Sequence, residues 1–219
     1  MPRYRQEEAY PFIPDVSEID ALILGAGSKR MTAYLTALKE TLGDPSEVLR
    51  IRWIDISGTG NTITLNRPVK GHYPRVVQVT SNLISMLNAL PKTSELVFPV
   101  SYRNIAQCYK MLRRKVSQAK NNQRILKITL TTFRHWGATM LYYQSRNILL
   151  VKKTLGHKKI ENTMKYTQLI QFKDDDFEVA SASTVEEAKE LGKAGWEKYD
   201  EMGGFHLYRK PKRFVNGAL

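Results

Sequence analysis

The chain has 219 residues, 42% of them hydrophobic, with 34 Lys and Arg against 21 Asp and Glu and a net charge of +13. That apolar share supports a packed core and rules out wholesale disorder, no apolar run reaches the roughly 18 residues that a bilayer crossing needs, and the opening Met1-Pro-Arg-Tyr-Arg-Gln-Glu-Glu lacks the apolar stretch of a secretory signal. A single cysteine, Cys108, excludes an internal disulfide and any cysteine-cluster zinc site, and suits a reducing, cytoplasmic setting.

Residues 1–14 are polar, hold three prolines and show no period, so they are expected to form an arm or linker. Asp15 or Ser17 then caps a helix bearing Ile19, Leu22, Ile23 and Leu24, stopped by Gly25-Ala-Gly27. Ser28 opens a second helix with Met31, Tyr34, Leu35 and Leu38 at helical spacing. Asp44-Pro45-Ser46-Glu47 is a third helix start, combining a capping side chain, proline at the first helical position and an early acid. Alternation over Asn61–Leu65 and Arg75–Thr80 predicts two strands around the basic turn Asn66-Arg-Pro-Val-Lys-Gly71. Helices are expected over Ser81–Leu90, Tyr102 to about Ala119 (with Ile105, Cys108, Tyr109 and Leu112 inward), Thr131–Tyr143, Asn147–Leu155 and Glu161–Ile170. Lys173-Asp-Asp-Asp176 marks a boundary. Beyond it come a strand from Phe177, a helix opened by the capping box Thr184-Val-Glu-Glu187, and a hairpin around Gly203-Gly204.

The charge is concentrated. Residues 101–170 carry 15 basic side chains and one acid, Glu161, whereas 1–100 hold 11 basic and 10 acidic groups and 171–219 hold 8 and 10. So lopsided a segment repels itself unless a polyanion neutralises it. Nucleic acid, held by phosphate neutralisation and counterion release, is the expected partner. Arg113, Arg114, Lys115, Lys152, Lys153, Lys158 and Lys159 are the expected contacts.

Four stretches follow one another: Thr41-Leu-Gly-Asp-Pro-Ser-Glu-Val-Leu-Arg-Ile-Arg-Trp-Ile-Asp55, Val69-Lys-Gly71, Thr131-Thr-Phe-Arg-His-Trp136, and Leu155-Gly-His-Lys-Lys-Ile-Glu-Asn-Thr-Met-Lys-Tyr-Thr-Gln168. Their order and spacing over most of residues 15–170 resemble the catalytic domain of tyrosine recombinases, in particular archaeal and viral integrases. The resemblance implies an α+β, mainly α-helical DNA breaking-rejoining domain at 15–170 with a small antiparallel sheet, and a C-terminal β-α-β-β appendage at 171–219. It implies a site-specific recombinase that cuts and rejoins double-stranded DNA through a 3′-phosphotyrosine, without metal, ATP or another cofactor and without a small-molecule substrate. Family members act as tetramers on two duplexes and exchange a C-terminal segment between neighbours; 171–219 is the natural candidate for that exchange, or a tail folded back on its own domain. They also pair this domain with an N-terminal helical one, so a chain starting about fifteen residues before it is either a fragment or lacks that partner.

By the same resemblance Tyr166 is the nucleophile, Arg134 the second arginine of the site, His157 the histidine that hydrogen-bonds the scissile phosphate, and Lys70 the general acid for the departing 5′ oxygen. These residue types suit the chemistry, because negative charge builds on the phosphoryl oxygens and needs preorganised donors. A guanidinium grips two oxygens at once, an ammonium delivers a proton from a turn, and a phenol needs cationic neighbours to lose its own proton. Two positions depart from the pattern. Thr131 stands where the family usually has histidine or lysine, and threonine can donate a hydrogen bond but carries no proton at neutral pH. Asp44 stands where the first arginine belongs. Three explanations compete for it: another cation, such as Arg50 or Arg52, replaces the arginine; the chain is an impaired, integrase-derived DNA-binding protein; or Asp44 serves purely as a helix cap in a site of reduced activity. The histidines at 72, 135, 157 and 206 have no zinc-ligand spacing.

Overall fold

The computed structural model describes residues 11–69, 71–169 and 177–211. The expected arm at 1–14 lies mostly outside them, as do Lys70 and the Lys173–Asp176 boundary. The chain divides into two compact units between Leu169 and Ile170.

In the first unit, α1 (Val16–Leu24), α2 (Lys29–Thr41), α4 (Ser81–Asn88), α5 (Tyr102–Ala119) and α6 (Leu130–Ser145) enclose a core centred on Tyr34, Phe98, Phe133 and Trp136, with α3 (Pro45–Leu49) packed against α2 and α5. The caps follow the sequence: Ser28 accepts from Met31, Thr80 from Leu83, Ser101 from Asn104 and Asn147 from Leu150, each satisfying an amide that the first helical turn leaves without a partner. Buried hydroxyls also find acceptors, Tyr34 on the Pro45 carbonyl and Tyr109 on the Ile128 carbonyl, both at 3.0 Å.

The small sheet is antiparallel in the order β1 (Ile56–Ser57), β2 (Thr62–Leu65), β3 (Arg75–Gln78). Ile63 faces Val77 and Leu65 faces Arg75. Strand alternation therefore turns Arg75 inward with Val77 and leaves Val76 and Gln78 outside. That inward cation positions much of the site.

Two expectations are corrected. Cys108 is exposed rather than inward, because the buried stripe of α5 runs Ile105, Tyr109, Leu112, Val116. The last helix of the unit, α8, covers only Glu161–Met164, and the turns after it carry Tyr166. Two 3-10 turns, Trp53–Asp55 and Gln123–Lys127, and the two-residue β1 are too short to leave a periodic signal. Helix α7 (Ile148–Leu155) ends at Gly156, whose φ of +70° suits only glycine readily.

The second unit is β4 (Phe177–Ala182), α9 (Val185–Lys193), β5 (Glu197–Met202) and β6 (Phe205–Pro211), with sheet order β4-β6-β5, antiparallel throughout. Thr184 and Glu187 form the expected capping box. Gly203 and Gly204 both have positive φ, as a two-residue type I′ hairpin requires. Among the described residues no helix is long and apolar enough to cross a membrane.

Candidate active site

The site is built around a buried carboxylate. Glu47 is the third residue of α3, and its Oε2 accepts the amide of Asp44 at 2.9 Å, closing the capping box that starts the helix. The same Oε2 accepts Arg75 Nη2 at 2.7 Å, and Oε1 accepts His72 Nδ1 at 2.8 Å and the Val69 amide at 3.2 Å. Burial alone would raise this carboxyl, but bonds from His72 and Arg75 hold it well below the usual carboxylate range. An ionised carboxylate only accepts, so His72 Nδ1 carries the hydrogen between them.

Arg134 lies on α6, buried against this cluster, with Nη1 4.0 Å from Glu47 Oε2. Its Nη1 donates to the Leu42 carbonyl at the end of α2, and Nη2 donates to the Leu155 carbonyl at the end of α7 at 2.7 Å. Helix C-termini carry partial negative charge, so two of them suit a buried cation. Burial and then Arg75 push this guanidinium down to about 10, against the pull of Glu47. Gly137 lets α6 approach so closely, since a Cβ there would meet Leu42 Cδ2 at 2.0 Å.

Two residues beyond Leu155, the buried His157 places Nδ1 3.0 Å from Thr163 Oγ1, and its ring centroid lies 5.5 Å from that of His72. Burial, then Arg134 and His72, push it down to about 3, so it is a neutral hydrogen-bonding imidazole near pH 7. Tyr166 packs with Leu42, Ala138, Val151 and Leu155, and is 1% exposed. Its hydroxyl lies 3.0 Å from His135 Nδ1. Burial raises the phenol to about 12, although Arg134 pulls the other way. In this covered position desolvation outweighs the pull of the cationic neighbour Arg134 on the phenol.

The structure brings Tyr166, Arg134 and His157 together. Lys70 lies outside the described residues. Thr131 sits half-buried in the first turn of α6. Asp44 caps α3, its Oδ1 accepting the Ser46 amide at 3.0 Å. Of the proposed replacements for the missing arginine, Arg50 is exposed at the C-terminal end of α3 and Arg52 is engaged with Asp55 at 3.3 Å. Arg114, Lys115, Lys153, Lys158 and Lys159 are exposed and Lys152 is half-buried; Arg113 instead donates from Nη1 to the Ile128 carbonyl at 2.9 Å, tying α5 to the chain before α6. Glu47, His72, Arg75 and His135 had no assigned role in the sequence. The usable signal was the inward position of Arg75, since a cation on a core face requires a carboxylate. Among the described residues no group of His, Cys, Asp and Glu gathers to hold a metal ion.

The chain matches the model of the phage integrase family over residues 16–171 and belongs to that family. No curated protein matches it. Among solved structures it is similar to XerA recombinase, at 20% identity and a TM-score of 0.60, covering 90% of this chain and 68% of that one. It is similar to XerH site-specific recombinase bound to a palindromic difH substrate after cleavage, at 18% and 0.60, covering 74% and 50%. The catalytic domain of bacteriophage HP1 integrase matches at 20% and 0.54, covering 72% and 88%. The chain therefore spans half the length of the XerH chain and most of the HP1 domain. The fold is that of the tyrosine recombinase catalytic domain.

Proposed function

We propose that this chain cuts and rejoins double-stranded DNA through a covalent 3′-phosphotyrosine at Tyr166. The phenolic oxygen bonds to phosphorus, the bond from phosphorus to the 5′ oxygen breaks, the phenolic proton is lost to solvent, and Lys70 protonates the leaving oxygen. A 5′ hydroxyl of a second strand end then reverses the step. Arg134 and His157 donate to the phosphoryl oxygens, where fixed donors are worth most because charge develops there. Arg114, Lys115, Lys152, Lys153, Lys158 and Lys159 take backbone phosphates, and the family's tetrameric arrangement on two duplexes goes with this reading.

The observation that carries the reading is the meeting of Tyr166 and His157 with the buried Arg134, itself 4.0 Å from Glu47, in a phage integrase family member. The test is a pool of nicked duplexes with randomised sequence around the nick, from which the wild-type chain recovers members as denaturant-resistant adducts. An adduct that disappears in Tyr166→Phe supports the enzyme. A second reading, an integrase-derived protein that binds DNA without cutting, is favoured by Asp44 and by the burial of the Tyr166 hydroxyl. Salt-sensitive duplex binding with no adduct from any pool member selects it.

A further inference from the structure

We propose that Arg75, on the inner face of β3, supplies the scissile phosphate with the second guanidinium that position 44 lacks. The inference rests on the strand-transfer reading above. A phosphodiester attacked by an oxygen nucleophile places negative charge on two non-bridging oxygens, and one guanidinium that is also bonded to two carbonyls neutralises them incompletely.

Four observations select Arg75. Its Nη2 lies 2.7 Å from Glu47 Oε2, the oxygen that Arg134 Nη1 approaches to 4.0 Å, so two guanidinium groups share one carboxylate oxygen. Its Nε is buried and has no hydrogen-bond partner among the described residues, and Nη1 makes only a long contact, 3.4 Å, to the Tyr73 carbonyl. Donor capacity is therefore left over in a place where buried donors are normally satisfied. The group also lies against the turn that bears His157: a Cβ on Gly156 would come within 3.0 Å of Arg75 Nη1. Finally, Asp44 contributes no donor, since its carboxylate caps α3, and Arg52 is held by Asp55. The guanidinium thus reaches the site from the sheet instead of from the helix start, with Glu47 as the shared partner. Its field is felt there, as it pushes both Arg134 and His157 toward their neutral forms, and an incoming phosphodiester relieves that repulsion.

The experiment uses the full chain and a nicked duplex recovered from the randomised pool by adduct formation with wild type. It is prepared with either the natural phosphate or a methylphosphonate at the scissile position, the methyl group replacing one of the two non-bridging oxygens and removing one negative charge. With the phosphate, Arg75→Ala is expected to lower the adduct rate by about 10²–10³, the usual cost of losing one charge-stabilising donor. With the methylphosphonate, the variant is expected to recover to within about tenfold of wild type, because the single negative charge that still develops on the remaining non-bridging oxygen can be met by Arg134 alone. Equal losses on both substrates overturn the proposal and leave Arg75 as a structural partner of Glu47. Where Arg75→Ala fails to fold, Arg75→Lys keeps a cation on Glu47 without the planar fork, and the same shift between the two substrates is expected; its absence overturns the proposal. If wild type gives no adduct with any pool member, the strand-transfer reading itself fails, and the role of Arg75 fails with it.

Discussion

The Tyr166 hydroxyl and His135 Nδ1 are 3.0 Å apart, between the turns that follow α8 and helix α6, and this contact helps to keep the proposed nucleophile under cover. A phenol that is 1% exposed reaches a DNA phosphate only after leaving its apolar seat among Leu42, Ala138, Val151 and Leu155. The pair is expected to show a coupling energy of about 0.5–1.5 kcal/mol, typical of one net hydrogen bond. A double-mutant cycle of His135→Ala and Tyr166→Phe in urea unfolding measures it, and additive effects would remove the contact from the account.

Glu47→Gln leaves Arg75 and Arg134 sharing a neutral amide. Breaking a buried pair this way typically costs about 3–5 kcal/mol, read as a lower urea midpoint at pH 7. Folding lowers the proton affinity of this carboxyl, so its contribution is present above its ordinary value of 4.5 and is lost as the pH falls below it. The variant should lack that acid loss. A wild-type acid profile retained in Glu47→Gln would show the carboxylate to be a bystander.

His157 makes a separate pH window. Its folded value near 3 lies below the ordinary 6.5, so as the pH falls through 6.5 the unfolded chain takes up a proton that the fold refuses. Stability is full above that range and declines down to about 3, with a slope of at most ~1.4 kcal/mol per pH unit for one proton. His157→Gln should flatten the decline between pH 6.5 and 5 while the Glu47 loss below 4.5 persists. Unfolding midpoints measured at half-unit intervals decide it.

At Gly156 an added methyl would meet the Tyr73 carbonyl at 2.8 Å and Arg75 Nη1 at 3.0 Å, on a backbone with φ of +70°. Gly156→Ala is expected to cost about 1–3 kcal/mol from strain and overpacking together. It should also weaken the bond from the Tyr73 amide to the Gly156 carbonyl, now 2.8 Å, which hydrogen exchange at Tyr73 reports. An unchanged exchange rate would mean that the two turns are not coupled.

Much of this arrangement could be read from local chemistry. Asp44-Pro45-Ser46-Glu47 announces α3 because capping and proline preferences act within one turn, and Leu155-Gly-His157 announces the left-handed end of α7 for the same reason. What escaped was set by long-range pairing. Glu47 is 25 residues from His72 and 28 from Arg75, and no local pattern links an early helical acid to an inward strand arginine. Cys108 was misplaced because Tyr109 fills the same stripe one residue later, and a small apolar residue beside a ring gives no phase of its own. The covered state of Tyr166 depends on α8 ending at Met164, which no capping or breaking residue signals.

Arg134 also works as a clasp. By holding the Leu42 and Leu155 carbonyls it ties together the last turns of α2 and α7, which lie far apart along the chain. Truncating this side chain therefore unfastens two helices as well as removing a charge from the proposed reaction. An inactive Arg134→Ala protein would be ambiguous evidence about chemistry, and Arg134→Lys, compared at matched folded fraction, is the informative substitution.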